Sequence, residues 1–235
     1  GSTLLYRVLN AAPAIIEYII RLRSLIKRIQ PDVIHTNGFK MHLLGTWARS
    51  GTPIIWHIHD YVSSRPLMSR LLRHHIKQCS SVITNSYSVG KDVRVMCGDL
   101  TPVVPLYNAI DLSNFTPSGT ELDLDMLSGL AASEPGTVRV GLVGTLGRWK
   151  GHALFLRALA LLPPDLRIRG YVIGGALYET SGSQYSLEDL RALAEDLGVA
   201  GITGFTGFVE DPAAAMRSLD MVVHASTQPE PFGLV

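Results

Sequence analysis

Residues 140–151 read VGLVGTLGRWKG, and this stretch decides the fold prediction because three local patterns follow one another there. The apolar run 138–144 predicts a buried strand, the glycines predict a tight turn, and the spacing of residues 151–161 predicts a helix. A strand that enters a helix through such a turn is typical of a βαβ unit on a parallel sheet. Ligands of these sheets bind beyond the carboxyl ends of the strands, which is where this turn lies.

The alternation of strand and helix patterns extends to both sides of this stretch. Short apolar runs predict further strands at residues 32–36, 53–59, 81–85, 167–174, 203–205 and 220–224. Helical spacing predicts helices at residues 10–29, 40–49, 67–77, behind the N-cap Ser86 to about Gly98, 186–197 and from Asp211. This alternation predicts two doubly wound α/β domains.

Composition and charge divide the chain in two. Its 235 residues are 46% hydrophobic and 17% charged, which supports a packed core and excludes a disordered chain. Residues 113–136, with prolines, glycines and a short acidic segment, are predicted to link domain 1–112 to domain 137–235. The net charge is +7 for residues 1–112 and −6 for residues 113–235, which indicates two domains with different partners.

Cysteine usage and hydropathy favour a cytoplasmic protein. Cys79 and Cys97 have neither metal-ligand nor redox spacing, and they do not suggest a disulfide framework. No stretch approaches the ~20 uninterrupted apolar residues of a membrane span, and no secretory signal pattern is visible. We therefore expect a reducing, cytoplasmic setting.

The glycine-rich turn at residues 144–151 has two interpretations. Glycines let the backbone approach a phosphate closely, and Arg148 and Lys150 can neutralise its charge. The spacing is neither that of a dinucleotide-binding fingerprint nor that of a P-loop, since Leu146 stands where the second glycine is needed. The other interpretation is a tight strand-to-helix turn with solvated basic residues.

The last residues, 229–235, read PEPFGLV and follow a predicted strand. Pro231 suits the first position of a helix, where its missing N–H costs nothing. The amides of residues 232–234 are then expected to be free donors at a helix N-terminus, which is an anion site. Glu230 can accept hydrogen bonds from sugar hydroxyls, or it simply favours the positive end of that helix.

Five segments of the chain carry motif residues in a fixed order. They are Pro31-Asp32-Val33-Ile34-His35, Asn108-Ala109-Ile110-Asp111 with Phe115 and Pro117, Gly144-Thr145-Leu146 with Lys150-Gly151, Gly204-Phe205-Thr206-Gly207-Phe208-Val209, and Glu230-Pro231-Phe232-Gly233. Together they resemble the glycosyltransferase group 1 family, whose members are retaining enzymes of the GT-B type. The segments are similar to that family's early strand, interdomain segment, Gly-Arg-Leu…Lys-Gly loop, base-side loop and Glu-x-Phe-Gly-x-x-x-x-Glu motif.

The resemblance implies a fold that is α/β with two Rossmann-like doubly wound domains (GT-B), both incomplete in this chain. It implies that Arg148 and Lys150 hold the donor diphosphate and that Val209 meets the base through its backbone. The implied donor-binding residues are Gly144, Thr145, Arg148, Lys150, Val209, Phe232, Gly233 and Leu234, and the implied catalytic residues are His59 and Glu230. Thr145 stands where the family has an arginine, and Arg148 is expected to substitute for it.

His57 and His59 lie two residues apart on a predicted strand and therefore share a face. They could jointly ligate a metal, as in a metal-dependent hydrolase. A His-x-His-x-Asp-His site, however, has further ligands where this chain has Tyr61 and Val62. The family has a histidine at the end of this strand, which His59 matches, so His59 is expected to contact the transferred sugar. The remaining interpretation is a buried structural histidine.

The helix predicted at residues 67–77 is basic and amphipathic. It could lie on an anionic membrane near a lipid-linked acceptor, or it could be a core-facing helix with a solvated basic side. A nucleic-acid partner is disfavoured, because no aromatic residues are interleaved with the basic ones.

The predicted function is transfer of a sugar, with retention, from a nucleotide-diphosphate sugar to a glycan or lipid-linked glycan. No metal or other cofactor is expected, because fixed cations and helix-end amides can stabilise a leaving diphosphate. The first alternative is a non-catalytic nucleotide-sugar-binding homologue or subunit, favoured by Thr145 and by the absence of the motif's second glutamate. The second is a metal-dependent hydrolase. Since the family's first strand–loop–helix is also missing, inactivity of this chain alone is one expected outcome.

Overall fold

Two parallel β-sheets organise the residues that the structure describes. The computed structural model describes residues 2–48, 50–176 and 182–234, and for residues 2–10 it describes the backbone only. Within each sheet a helix connects each strand to the next one in the chain. The predicted α/β class of two Rossmann-like units is therefore confirmed.

The described residues fall into two contact units. One unit contains Gly1–Ala109 together with Pro231–Leu234, and the other contains Ile110–Glu230. The strands of the first unit are β1 (Ile34–Asn37), β2 (Ile54–Ile58), β3 (Ser81–Thr84) and β4 (Val103–Pro105), which pair in that order and are all parallel. The strands of the second unit are β5 (Val138–Val143), β6 (Ile168–Ile173), β7 (Thr203–Gly207) and β8 (Met221–Val222). Their order is β7-β6-β5-β8, again parallel.

The helices lie between these strands in the chain. They are α1 (Ser2–Ile29), α2 (Phe39–Trp47), α3 (Pro66–His75), α4 (Tyr87–Cys97), α5 (Leu124–Leu127), α6 (His152–Ala160), α7 (Leu187–Asp196) and α8 (Pro212–Arg217). Among the described residues, no helix is both long enough and apolar enough to cross a bilayer.

Local capping chemistry explains the boundaries of α4 and α7, which lie close to the predicted ones. The Ser86 hydroxyl accepts a hydrogen bond from the Val89 amide at 3.2 Å, which satisfies one of the free donors at the start of α4. The same helix ends at Gly98, whose φ of 59° is in the left-handed region. At the start of α7, Ser186 and Asp189 form a reciprocal capping box.

His42 is a fully buried polar group in the core of the first unit. Its Nδ1 lies 2.7 Å from the Thr36 hydroxyl, and its ring stacks on Trp56 with centroids 5.3 Å apart. Burial lowers the pKa of His42 from 6.5 to about 3, and the nearby His57 and His59 act in the same direction. The folded protein therefore holds this ring neutral.

We expect His42→Phe to reduce the loss of stability in acid. The unfolded chain protonates His42 near pH 6.5 and the folded chain near 3, so the stability that the neutral ring contributes is lost as pH falls between these values. The slope is about 1.4 kcal/mol per pH unit. Urea unfolding between these pH values should show that the free energy of unfolding falls more steeply with decreasing pH in wild type than in His42→Phe. His74→Phe, an exposed histidine, is the control, and equal slopes for His42→Phe and wild type would contradict the assignment.

The segment 113–136 differs from the predicted linker, because it belongs to the second unit and contains α5. Asp125 in that helix is only 3% exposed. Its carboxylate accepts hydrogen bonds from Arg169 and the Tyr171 hydroxyl, both at 2.6 Å, and from Arg139 at 3.2 Å. An acidic residue that suggested a solvated linker is thus the buried anchor of a charged network. The unit boundary falls after residue 109 and not after 112.

Two further elements differ from the prediction. β4 was not predicted, because it has three residues and carries Pro105, a residue type that sheets tolerate at their edges. α1 begins at Ser2, before the predicted start at residue 10, and contains Pro13. It ends as predicted before Pro31, with Gln30 at a φ of 51°.

Candidate functional site

The second sheet has a point where the chain direction across it reverses. From β5 the chain proceeds to β6 and β7 on one side, and it then returns to form β8 on the other side of β5. The loops that follow neighbouring strands at such a point leave a crevice between them at the carboxyl edge of the sheet, where open α/β sheets bind ligands. Here these loops are residues 144–151 after β5 and residues 223–230 after β8.

Backbone contacts hold the two loops together. The Thr227 amide donates a hydrogen bond to the Trp149 carbonyl at 2.7 Å. Gly151, with a φ of 80°, lies so close to the second loop that a Cβ on it would overlap the Ala225 carbonyl oxygen. Only glycine satisfies both the left-handed backbone and this approach.

Lys150 and Glu230 meet in this crevice. Lys150 Nζ donates to Glu230 Oε1 at 2.8 Å, and the two side chains are 23% and 11% exposed. The Ser226 hydroxyl also donates to Glu230 Oε1, and His224 Nε2 lies 3.2 Å from the same oxygen. Burial acts to raise the pKa of Glu230, but hydrogen bonds from Lys150 and Ser226 outweigh it, so the pKa lies below its ordinary value. The carboxylate is therefore ionised at neutral pH, and the cation opposite it is fixed in place.

A cavity of about 290 Å³ lies at the carboxyl ends of β5, β6 and β7. Its walls include three predicted donor-binding residues, Gly144, Thr145 and Val209. The Lys150 chain passes the Gly144 end of the cavity, since a Cβ on Gly144 would lie 3.9 Å from Lys150 Cδ. The structure thus brings four of the predicted donor-binding residues to one region, together with the predicted catalytic residue Glu230.

The site residues predicted from the sequence leave out several residues of this region. Gly174 and Phe208 line the cavity, while Ser226 and His224 bind Glu230. A Cβ on Gly174 would overlap the Gly144 carbonyl oxygen, so glycine is required where β6 ends beside β5. The Gly174-Gly175 pair at the end of the strand predicted at residues 167–174 was the available signal for that position.

Arg148 makes its described contacts elsewhere. Its Nε donates to the Gly182 carbonyl at 3.1 Å, and its guanidinium carbon lies 4.3 Å from the centroid of the Tyr185 ring. The side chain is exposed. These contacts hold Arg148 against the segment before α7, whereas those of Lys150 are with Glu230. A role for Arg148 at the diphosphate stays a prediction.

The helix predicted to begin at Pro231 is not formed in the described residues. Residues 231–234 are bends and irregular backbone, and Gly233 has a φ of 80°, which an α-helix does not allow. By contacts this segment belongs to the first unit, where the Phe232 ring lies 5.9 Å from that of Tyr107. The prediction that the amides of Phe232, Gly233 and Leu234 are free donors at a helix N-terminus is therefore wrong for the described residues. These amides belong to an irregular segment.

In the first unit, His59 lies just past the carboxyl end of β2. Its ring is 4.0 Å from that of His57, which in turn stacks on His35 at 5.2 Å. Nε2 of His57 and Nε2 of His59 are buried without a hydrogen-bond partner among the described residues. Burial lowers the pKa of His57, and the neighbouring histidines add to that effect.

The described residues place no third metal ligand beside the paired histidines. Among residues 2–48, 50–176 and 182–234, no group of three His, Cys, Asp or Glu side chains is placed to hold a metal ion. A catalytic metal site in proteins usually has three protein ligands. The arrangement of His57 and His59 therefore gives the metal-hydrolase alternative no support.

Two family models match the chain. Glycosyltransferase Family 4 matches residues 3–114, and Glycosyl transferases group 1 matches residues 132–235. Over these two ranges the chain is similar to group 1 glycosyltransferases. Both units of this glycosyltransferase-like chain are thus matched separately, in the order that the motif residues predicted. No curated protein matches the sequence.

Solved structures support the same family and the GT-B fold. The crystal structure of Anabaena Alr3699/HepE in complex with UDP is 27% identical, with a TM-score of 0.73 over 92% of this chain and 58% of that chain. The same protein in complex with UDP-glucose is 26% identical, with a TM-score of 0.72 and the same coverage. Sucrose-phosphate synthase from Thermosynechococcus elongatus, at 17% identity, shares the fold with a TM-score of 0.74 over 95% of this chain and 57% of that chain. The chain therefore spans less than two thirds of the length of these structures.

Proposed function

We propose that the protein transfers a sugar, with retention of anomeric configuration, from a nucleoside-diphosphate sugar to a glycan or lipid-linked glycan acceptor. The observation that carries the proposal is the fixed Lys150–Glu230 pair beside a glycine-walled cavity at the switch point of the second sheet. Anabaena Alr3699/HepE, which this chain resembles at 27% and 26% identity, was crystallised with UDP and with UDP-glucose.

The chemistry requires stabilisation of a leaving diphosphate. As the bond between the anomeric carbon and the diphosphate oxygen breaks, negative charge grows on that oxygen. Lys150 has three N–H donors, and Glu230 uses one of them in the described contacts. The ammonium can therefore face the diphosphate without giving up its anchor, and a preorganised cation costs no reorganisation during the reaction.

The remaining groups orient the two substrates. The cavity lined by Gly144, Thr145 and Val209 accommodates the nucleoside, and the Glu230 carboxylate accepts hydrogen bonds from the sugar hydroxyls. His59 contacts the transferred sugar. The acceptor hydroxyl attacks the anomeric carbon on the face from which the diphosphate leaves, and its proton passes to the departing diphosphate oxygen.

A non-catalytic nucleotide-sugar-binding protein is the second candidate function. It is favoured by Thr145, which lines the cavity and supplies no cation where the family's arginine is expected. Both candidates share the donor site and differ in turnover. We place the protein in the cytoplasm, because Cys79 and Cys97 are free thiols.

The test is a thermal-shift screen against UDP-, GDP- and ADP-sugars, with the nucleoside monophosphates as controls for the diphosphate. A donor at ~100 times its dissociation constant should add about 2.7 kcal/mol to the free energy of unfolding. Donor hydrolysis and NMR of the glycosidic product then report turnover and anomeric configuration. A shift without turnover favours the binding protein, an inverted product refutes retention, and no shift with any diphosphate donor refutes the donor site.

A further inference from the structure

We infer that the basic face of α3 in the first unit is a docking surface for an anionic membrane. The surface contains a pocket of about 500 Å³ whose lining is four basic side chains and one leucine. The lining residues are Arg70, Arg73, His74, Lys77 and Leu100. This inference does not depend on the proposed sugar transfer.

Apart from the exposed Asp99, which precedes Leu100, no acidic residue adjoins the lining residues of this surface in the sequence. No Asp or Glu occurs between Asp60 and Asp92, and α3 has no acidic residue in its first turn. Asp60 itself is paired with Arg65 at 3.2 Å. In the part of the chain that the structure describes, no salt bridge involves the three lining cations Arg70, Arg73 and Lys77.

Exposed leucines lie beside these cations. The buried side of α3 is formed by Leu72, which is fully buried, and by Met68, which packs against the core. On the outer side, Leu67 is 62% exposed and Leu71 37% exposed, and Leu100 in the pocket is 46% exposed. The outer face therefore combines apolar and cationic side chains, as interfacial helices do.

The pocket lies at the opposite edge of the sheet from His59. Lys77 follows α3 and precedes β3, and Leu100 precedes β4, so both lie near the amino ends of parallel strands. His59 follows the carboxyl end of β2. A headgroup bound in this pocket therefore anchors the protein to the membrane and is not a substrate of the reaction. The leucines favour a lipid headgroup surface over a free phosphate ion, because a free ion offers no apolar phase in which to bury them.

Co-sedimentation of the full protein with vesicles tests this inference. We expect binding to phosphatidylglycerol–phosphatidylcholine vesicles at low salt, weak binding at high salt, and little binding to phosphatidylcholine alone. The triple variant Arg70→Gln, Arg73→Gln, Lys77→Gln should bind about a hundredfold more weakly, at roughly fivefold per cation. Leu67→Ser with Leu71→Ser should also weaken binding.

The matched control is Arg23→Gln, Lys27→Gln, Arg28→Gln on α1, which removes three exposed cations from the same unit. It should bind nearly as well as wild type. Circular dichroism establishes that each variant is folded. The inference would be overturned by unchanged binding of the α3 triple variant or by loss of binding in the α1 control alone. It would also be overturned by equal binding to uncharged vesicles. A thermal stabilisation of the protein by inorganic phosphate or RNA, without binding to vesicles, would overturn it as well.

Discussion

Replacing Lys150 with alanine is expected to lower kcat/KM for sugar transfer by about 10²–10³-fold. Lys150 is the only lysine in residues 110–235, and its Nζ is held 2.8 Å from the Glu230 carboxylate. In the proposed reaction this ammonium is the fixed cation beside the departing diphosphate, so its removal leaves the developing charge without a preorganised partner. Steady-state kinetics with the donor that gives the largest thermal shift measure the effect.

Arg157→Ala is the matched control for this change, since it removes one positive charge from an exposed position on α6 of the same unit. It should leave the kinetics unchanged. Lys150→Arg should recover part of the lost rate, because it restores a cation on a different geometry. Activity of Lys150→Ala within a few-fold of wild type, in a folded variant, would remove Lys150 from the site.

The exchange of Asp125 for alanine should lower the free energy of unfolding by about 3–5 kcal/mol. The buried carboxylate is the common acceptor for Arg139, Arg169 and the Tyr171 hydroxyl. Truncation leaves the guanidinium groups without a counter-charge and a buried phenol without its acceptor. Urea denaturation monitored by circular dichroism gives the difference directly.

The pH dependence of this effect has a definite sign. Burial acts to raise the pKa of Asp125, but the hydrogen bonds from Tyr171 and Arg169 outweigh it and hold the pKa well below its ordinary value of 3.8. The stabilisation is therefore fully present above 3.8 and is lost as the pH falls further. Glu121→Ala, at an exposed acidic position in the same segment, should change stability by less than about 0.5 kcal/mol. An equally small change for Asp125→Ala would show that the network does not anchor the segment.

Much of the secondary structure could be predicted because its causes are local. The apolar runs that became β2 and β5 are short and bounded by turn residues, and Ser86 carries its capping hydroxyl in the sequence itself. Asp125 shows where such reasoning fails. The surrounding segment 113–136 contains prolines, glycines and other acidic residues, which are typical of a linker, while the hydrogen-bond donors Arg139, Arg169 and Tyr171 lie 14, 44 and 46 residues away.

The sequence by itself determined the alternating elements, the α/β class and the two loops that form the candidate site. Only the tertiary structure decided that Lys150 and Glu230, 80 residues apart, share a hydrogen bond, and that Arg148 faces another segment. The reason is that strand and helix patterns depend on neighbours a few residues away. The order of strands in a sheet, which here places β8 beside β5, depends on how whole elements pack.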